Sequence, residues 1–259
     1  MSKRGIDIST HNGKINFQKL KSEIDFCMIR AGYSNTVDER FHDYAKQCTE
    51  NKIPFGVYWF SYATSVDEVV KEAKTCLETI KNYKLSLPIA FDWEYDSDAY
   101  FKKRIGRNAT NSERNTFARA FCEHIKANGY TPMLYTNVDY YDNKGFYALD
   151  KVYPIWLAHW GVKTPKYSCK MWQYSSTGTV KGINGYVDMD TCYMEFTADV
   201  TEKENPSIES VCKKFNTEYT NLAKDIIAGK YGNGAERKNK LKSLGFDYDF
   251  AQSLVNVMV

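Results

Sequence analysis

Long apolar runs, metal-ligand spacings and a strong charge of either sign are all missing from this sequence. No stretch approaches the ~20 apolar residues that a membrane helix needs, so membrane insertion is not expected. Lysine and arginine number 35 against 32 acidic residues, a net charge of +3. That balance gives no electrostatic footprint for nucleic acid. The histidines, His11, His42, His124 and His159, form no zinc-ligand spacing. Neither a GxSxG elbow nor a phosphate-binding glycine loop occurs, and no cofactor or metal is expected. The seven cysteines (27, 48, 76, 122, 169, 192 and 212) are odd in number and contain no CxxC. They read as buried free thiols of a protein made in a reducing compartment rather than as a disulfide framework. Met1-Ser2-Lys3-Arg4 leads straight into the strand-like Gly5–Ile8 with no signal-peptide pattern.

What the sequence does have is the means to build a core. Hydrophobic residues make up 43% and charged residues 26% of 259 positions, enough for one large domain and a small one. Aromatics reach 15%, with 20 tyrosines. Tyrosine can cover an apolar sugar face while offering a hydroxyl, although core packing also accounts for aromatics.

Short apolar strands alternate with amphipathic helices from Gly5 to about Ala198. Strands are expected at Gly5–Ser9, Phe26–Ala31, Pro54–Phe60, Leu87–Trp93, Thr131–Thr136, Tyr153–Ala158, Ser168–Tyr174 and Val187–Cys192. Helices are expected at Asn16–Ile24, Glu39–Asn51, Val66–Tyr83 and Ser112–Asn128. Asp67, Glu68 and Glu113 lie in first turns, and Gly129 stands at a helix stop. The pattern predicts an α/β fold, an irregular TIM-like (β/α) barrel of parallel strands whose last strands lack proper helices. Residues 198–217 read as a polar linker that passes into a helix at Ile208–Phe215. A small C-terminal module follows at 218–259, with helices at Tyr219–Ala228, Ala235–Leu244 and Phe250–Val257. Asp249 is its expected N-cap, and Leu222, Ile226, Leu241, Leu244, Phe246 and Leu254 its mini-core.

Acids gather at the strand ends. Asp7 stands in Gly-Ile-Asp-Ile-Ser, Asp92 and Glu94 in Ala-Phe-Asp-Trp-Glu, and Asp188 and Asp190 in Val-Asp-Met-Asp. In a parallel barrel the C-terminal strand ends share one mouth. Asp92 and Glu94, two apart on an extended strand, face the same side with Cα atoms ~6.6 Å apart. Carboxylates brought together repel, so one holds its proton beside an ionised partner, the pairing that glycoside hydrolysis uses. Capping of helix N-termini, simple solvation and a divalent-cation site are the alternatives.

Gly5-Ile-Asp-Ile-Ser9, Tyr58-Trp59-Phe60, Asp92-Trp93-Glu94, Tyr135-Thr-Asn137, Ile155-Trp156-Leu-Ala158, Trp172-Gln-Tyr174 and Val187-Asp188 occur in that order. Together they resemble the glycoside hydrolase family 25 lysozymes, the Chalaropsis type, over residues 3–197. The resemblance implies a peptidoglycan hydrolase, a muramidase cutting the β-1,4 bond between N-acetylmuramic acid and N-acetylglucosamine. It implies Glu94 as the catalytic acid, accompanied by Asp92, Asp7 and Asp188, with Tyr58, Tyr135, Trp156 and Trp172 along the groove. Trp59 stands where the family often has histidine, a departure that bears on subsite contacts. Val-Asp-Met-Asp replaces the commoner Val-Asp-x-Asn and leaves Asp190 without an assigned role. Residues 218–258, with Gly229-Lys-Tyr-Gly-Asn-Gly234 and Leu244-Gly-Phe-Asp-Tyr248, resemble the choline-independent cell-wall-binding repeats of phage lysins. Arg237 is the contact this implies for a muropeptide, a surface ion pair being the other reading.

Bacterial peptidoglycan is therefore the expected partner, and a monomer or weak oligomer the expected state. A phage endolysin, held in the cytoplasm until a pore admits it to the wall, fits the lack of an export signal. A catalytically silent peptidoglycan-binding barrel and a metal-dependent barrel hydrolase are the rival functions.

Overall fold

A computed structural model describes residues 2–196, 208–244, 246 and 248–258. Among the described residues, nine strands form one sheet: β1 (Lys3–Ile8), β2 (Phe26–Tyr33), β3 (Thr36–Val37), β4 (Phe55–Phe60), β5 (Ile89–Asp92), β6 (Pro132–Asn137), β7 (Ile155–Ala158), β8 (Met171–Gly178) and β9 (Val187–Cys192). Their order is β1-β9-β8-β7-β6-β5-β4-β2-β3, and an added β1–β2 pairing closes every strand but the short β3 into a barrel. The irregular α/β barrel expected from the strand–helix alternation is thus present. The short β3 pairs antiparallel with β2 outside the barrel, and within it one strand departs from the expected all-parallel arrangement: β9 runs antiparallel to both β8 and β1. It is joined to β8 by a short connection with no crossover helix, and a strand that returns without a crossover must run antiparallel.

Helices α1 (Phe17–Leu20), α2 (Phe41–Asn51), α3 (Val66–Ile80), α4 (Tyr95–Ile105), α5 (Asn111–Ala127) and α6 (Val138–Asn143) cover the barrel. Their starts follow local chemistry. Ser65 Oγ accepts from the Glu68 amide of α3. Thr110 and Glu113 cap each other reciprocally at the start of α5. The helix expected over Asn16–Ile24 shrinks to the single turn of α1. Helix α4 has no counterpart in the sequence reading: it is rich in charge, and it begins directly at the end of the Asp-Trp-Glu strand.

Strand alternation separates two cores. Phe26, Met28, Ala90, Met133, Tyr135, Trp156 and Met171 point into the barrel and pack on one another. Cys27, Ile29, Val57, Trp59, Phe91, Leu134 and Leu157 point outward into the layer beneath the helices. Gly5 has a steric reason: a Cβ there would lie 2.4 Å from the Phe26 ring on the neighbouring strand. The six cysteines whose side chains are described are free.

The C-terminal helices are α7 (Ile208–Ile227), α8 (Gly234–Ser243) and α9 (Tyr248–Met258). The stretches expected as separate helices at Ile208–Phe215 and Tyr219–Ala228 are one helix, α7. Tyr219, Leu222, Ala223, Ile226, Leu241, Ala251 and Val255 form the small core, with Phe246 packed against it. Leu244 is exposed, and Asp249 lies inside α9 rather than ahead of it. The side chain of Leu254 is outside the described residues. Helix α7 packs on α3 and α5, and α9 on α5. At the centre of that contact the buried Arg119 of α5 bonds Glu218 at 3.1 Å. Its guanidinium lies 5.8 Å from the Tyr219 ring and 5.0 Å from that of Phe246.

Candidate active site

One mouth of the barrel holds a cleft of about 400 Å³ lined by Asp7, Tyr58, Asp92, Glu94, Tyr135, Trp156, Gln173 and Asp188, with Arg30, Phe60 and Trp160 among its other walls. The inward positions of successive strands supply most of them. Asp7 and Asp188 face each other across the β1–β9 pair. The mouth gathers the C-terminal ends of the parallel strands, but Asp188 is the second residue of β9. It reaches the same mouth from the start of its strand because β9 is antiparallel.

Asp92 ends β5, and the extended backbone of Glu94 continues the strand before α4 begins. Asp92 and Glu94 therefore point into the cleft. Trp93 between them points outward, donates to Asp98 at 3.1 Å and packs on Phe101 and Phe117. The Glu94 amide is held by Ser97 Oγ at 3.1 Å.

Burial raises the Glu94 carboxyl to about 7, and the charges of Asp188 and Asp96 add to the effect. A hydrogen bond from Tyr135 opposes it, as does the N-terminus of α4. Asp92 is buried more deeply, and burial followed by the Glu94 charge raises it well above the usual carboxylate range. Arg30 works in the other direction on Asp92. Asp92 Oδ1 is buried and receives no hydrogen bond from the described residues. Burial lifts Asp188 to about 6. The described residues contain no group of three or more metal-ligating side chains suited to a metal ion.

The aromatic positions divide. The rings of Tyr58 and Tyr135 lie 5.9 and 4.8 Å from Trp156, edge-on, and all three line the cleft. Trp172 does not. It sits on the outward face of β8, and its Nε1 donates to the His159 carbonyl at 2.9 Å. The inward position belongs to Gln173, whose Nε2 donates to Asp7 Oδ2 at 2.7 Å. Gln173 Oε1 accepts from the Tyr135 hydroxyl and the Trp160 Nε1, each at 3.0 Å. Trp59 also faces away from the cleft, fully buried, with Nε1 donating to the Ser34 carbonyl at 3.1 Å. The departure at that position therefore touches the helix layer and not the cleft.

Gln173, Arg30, Trp160 and Tyr186 are among the lining residues that escape the sequence reading. Gln173 stands within a recognised motif, and counting alternate positions from Asp190's partner strand turns it inward. Arg30 is inward by the same count on β2, and Asp38 holds its Nε at 2.8 Å. Trp160 and Tyr186 are 51% and 69% exposed, which suits platforms open to a ligand. They stand on loops, where alternation gives no signal.

Arg237 lies far along the chain in the small module. It donates to the Gly232 carbonyl at 3.0 Å, to Gln252 at 2.8 Å and to Asn233 at 2.8 Å. Its partners among the described residues are neutral, so the ion-pair reading does not describe it there. It braces the Gly-Asn-Gly turn against α9.

Clustered carboxyls beneath aromatic walls at the mouth of an α/β barrel define a protein of the glycoside-hydrolase kind. The model of the Glycosyl hydrolases family 25 matches residues 6–183, and the chain belongs to that family. A CW_7 repeat matches residues 220–259. The chain is 27% identical over 195 residues to the autolytic lysozyme of Clostridium acetobutylicum, covering 72% of this chain and 55% of that one. It is 24% identical over 270 residues to the lysozyme of Streptococcus phage Cp-7, covering 97% and 68%. Its fold is similar to that of the modular autolysin LytC from Streptococcus pneumoniae, with a TM-score of 0.64, 29% identity, and 74% and 47% of the two chains covered. The chain thus spans about half the length of the Clostridium lysozyme and of LytC.

Proposed function

We propose that this protein is a peptidoglycan hydrolase, a muramidase that cleaves the β-1,4 bond between N-acetylmuramic acid and N-acetylglucosamine. The observation that carries the reading is Glu94, raised to about 7 beside the buried Asp92 in an aromatic-walled cleft. Protonated Glu94 donates to the leaving glycosidic oxygen as an oxocarbenium-like centre develops. Asp92 lies too close along the same strand to attack the opposite sugar face. Its unpartnered Oδ1 suits a different task, accepting the N–H of a substrate's 2-acetamido group and steering the acetamido oxygen toward the anomeric carbon. Asp7 and Asp188 shape the charge of the cleft, while Tyr58, Tyr135 and Trp156 form its walls.

The division of labour proposed is a catalytic barrel over 3–197, a connecting segment over 198–217 and a wall-binding module over 218–259. The CW_7 match supports the last of these, and Arg237 contributes by holding the module's turn in shape. Action on the bacterial wall follows from the substrate. Entry to it through a phage-encoded pore rests on the likeness to a phage lysozyme. Mass spectrometry of digested peptidoglycan tests the assignment. Reducing ends at muramic acid are expected; reducing ends at glucosamine, free stem peptides or an undigested wall would overturn it.

A further inference from the structure

Asp190 lies directly beneath the cleft, fully buried, on the inward face of β9. Trp156 Nε1 donates to its Oδ1 at 2.8 Å. Its Oδ2 is buried and receives no N–H from the described residues. The carboxyl of Asp7 stands within hydrogen-bonding reach. Asp7 has its own donor in Gln173, which occupies Oδ2. Each carboxyl is thus held by one fixed N–H, and the two meet through what remains.

Two ionised carboxylates in that arrangement would repel at close range and leave Asp190 Oδ2 buried without a partner, and both effects oppose folding. One proton removes both penalties. The direction of the bond follows from the neighbours. On Asp190 the Trp156 donor outweighs the Asp188 charge, whereas on Asp7 the charges of Asp190 and Asp188 outweigh the Gln173 donor.

We propose that Asp190 is a positioning residue that holds Asp7 as a neutral carboxylic acid, with the Asp7 hydroxyl donating to Asp190 Oδ2. Asp7 then presents a fixed, uncharged carboxyl to the cleft, braced by Gln173 and through it by Trp160 and Tyr135. A neutral Asp7 does not activate water as a base, so the proton economy of the reaction is left to Glu94, Asp92 and Asp188. This rests on the hydrolase reading only for its catalytic meaning; the shared proton does not depend on it.

The groups facing the pair are Asp188 and Cys192 on β9, Tyr58 on β4 and Tyr135 on β6, and its charge is also felt by Cys27 on the outward face of β2. The influences acting on Asp190 include no cation: they are burial, Trp156, Asp7 and Asp188. Burial leads among the effects that raise both carboxyls.

The test is carbon-13 NMR of the full chain labelled at aspartate carboxyl carbons, with the Asp7 signal assigned through Asp7→Asn. The Asp7 signal should remain at its protonated position through pH 7. Asp190→Asn keeps an acceptor for Trp156 and turns an N–H toward Asp7, which favours the carboxylate. The Asp7 midpoint should then fall by ~2 pH units. Wild-type Asp7 titrating in the ordinary carboxylate range overturns the proposal whether or not the variant folds. So does an Asp7 midpoint that Asp190→Asn leaves in place. Neither measurement requires a substrate, so failure here is distinct from failure of the muramidase assignment.

Discussion

Asp188→Asn should move the alkaline limb of the pH–rate profile downward while leaving an active plateau on its acid side. Glu94 stands at about 7 against an ordinary 4.5, with burial the first cause and the Asp188 charge the second. The charge ranks second to burial in that rise, so its share is on the order of 1 pH unit. The substitution would leave Glu94 buried but would remove that repulsion, bringing it toward ~6. At pH 7 the protonated fraction would then fall from about one half to about one tenth, a roughly fivefold loss of rate at that pH. The assay is kcat/KM on one soluble muropeptide between pH 4 and 9, because this ratio reports the free enzyme's ionisations. The choice of Asp188 rather than Asp92 follows from the structure. Asp188 leads the charges that raise Glu94, and Asp92 is not among them. A limb that stays in place in Asp188→Asn would refute the electrostatic account of Glu94, even if the rate fell uniformly.

Glu94→Gln removes the transferable proton but keeps the side-chain shape, so kcat should fall ~10²–10⁴-fold while KM changes little. Near-wild-type turnover would eliminate Glu94 as the acid. The same variant should gain thermal stability relative to wild type as the pH is raised. A carboxyl raised in the folded state contributes stability that is complete below its unfolded value and lost as pH climbs through about 7. Glutamine has no such loss, and equal melting-temperature profiles from pH 5 to 9 would count against the raised Glu94. Arg119→Ala takes away the buried cation that joins α5 to Glu218, Tyr219 and Phe246. Hydrogen exchange should accelerate in α7–α9 and stay slow in the barrel strands; unchanged exchange in α7–α9 would show that apolar packing alone holds the module in place.

How much of this is legible in the sequence depends on which physical signal carries each feature. The barrel is readable because apolar strands and amphipathic helices alternate from β1 onward, and buried strands between helices announce themselves by hydrophobicity. The direction of β9 is not. An antiparallel strand and a parallel one share the same side-chain period, and only the short connection after β8 hints at the difference. Asp7, Asp92, Glu94 and Asp188 are legible as acids out of place beside apolar strands. Trp172 is misassigned by a reading that goes by residue type. Strand parity favours Gln173, the neighbour that shares its face with Met171. The same parity accounts for Trp59, which takes the outward side while Tyr58 and Phe60 line the cleft. Helix α4 stays hidden because its apolar stripe is thin: only Ser97 and Phe101 are buried along its length. The docking of α7 and α9 onto α5 is out of reach, because Arg119 in a helical stretch reads as a solvated cation until its partners, far later in the chain, are placed beside it.

The cleft gathers more carboxyls than cations. Asp7, Asp92, Glu94 and Asp188 line it, Asp190 lies beneath, and the arginine in its wall, Arg30, is already engaged by Asp38. Burial works in the same direction on every one of these carboxyls, upward. A cluster of this kind binds protons collectively, and its titration steps belong to the group more than to any single member. Removing one carboxylate therefore does two things: it deletes a side chain, and it redistributes the protons that remain. Asp188→Asn and Asp190→Asn act on the same cluster from opposite sides, since the first relieves Glu94 and the second frees Asp7 to ionise. Their combined effect on the alkaline limb should differ from the sum of the separate effects, because an ionised Asp7 restores part of the negative charge that Asp188→Asn removes. Catalytic roles in this cleft are accordingly separable by where each variant moves the pH profile, whereas the size of the activity loss at one pH mixes the lost group with the displaced protons.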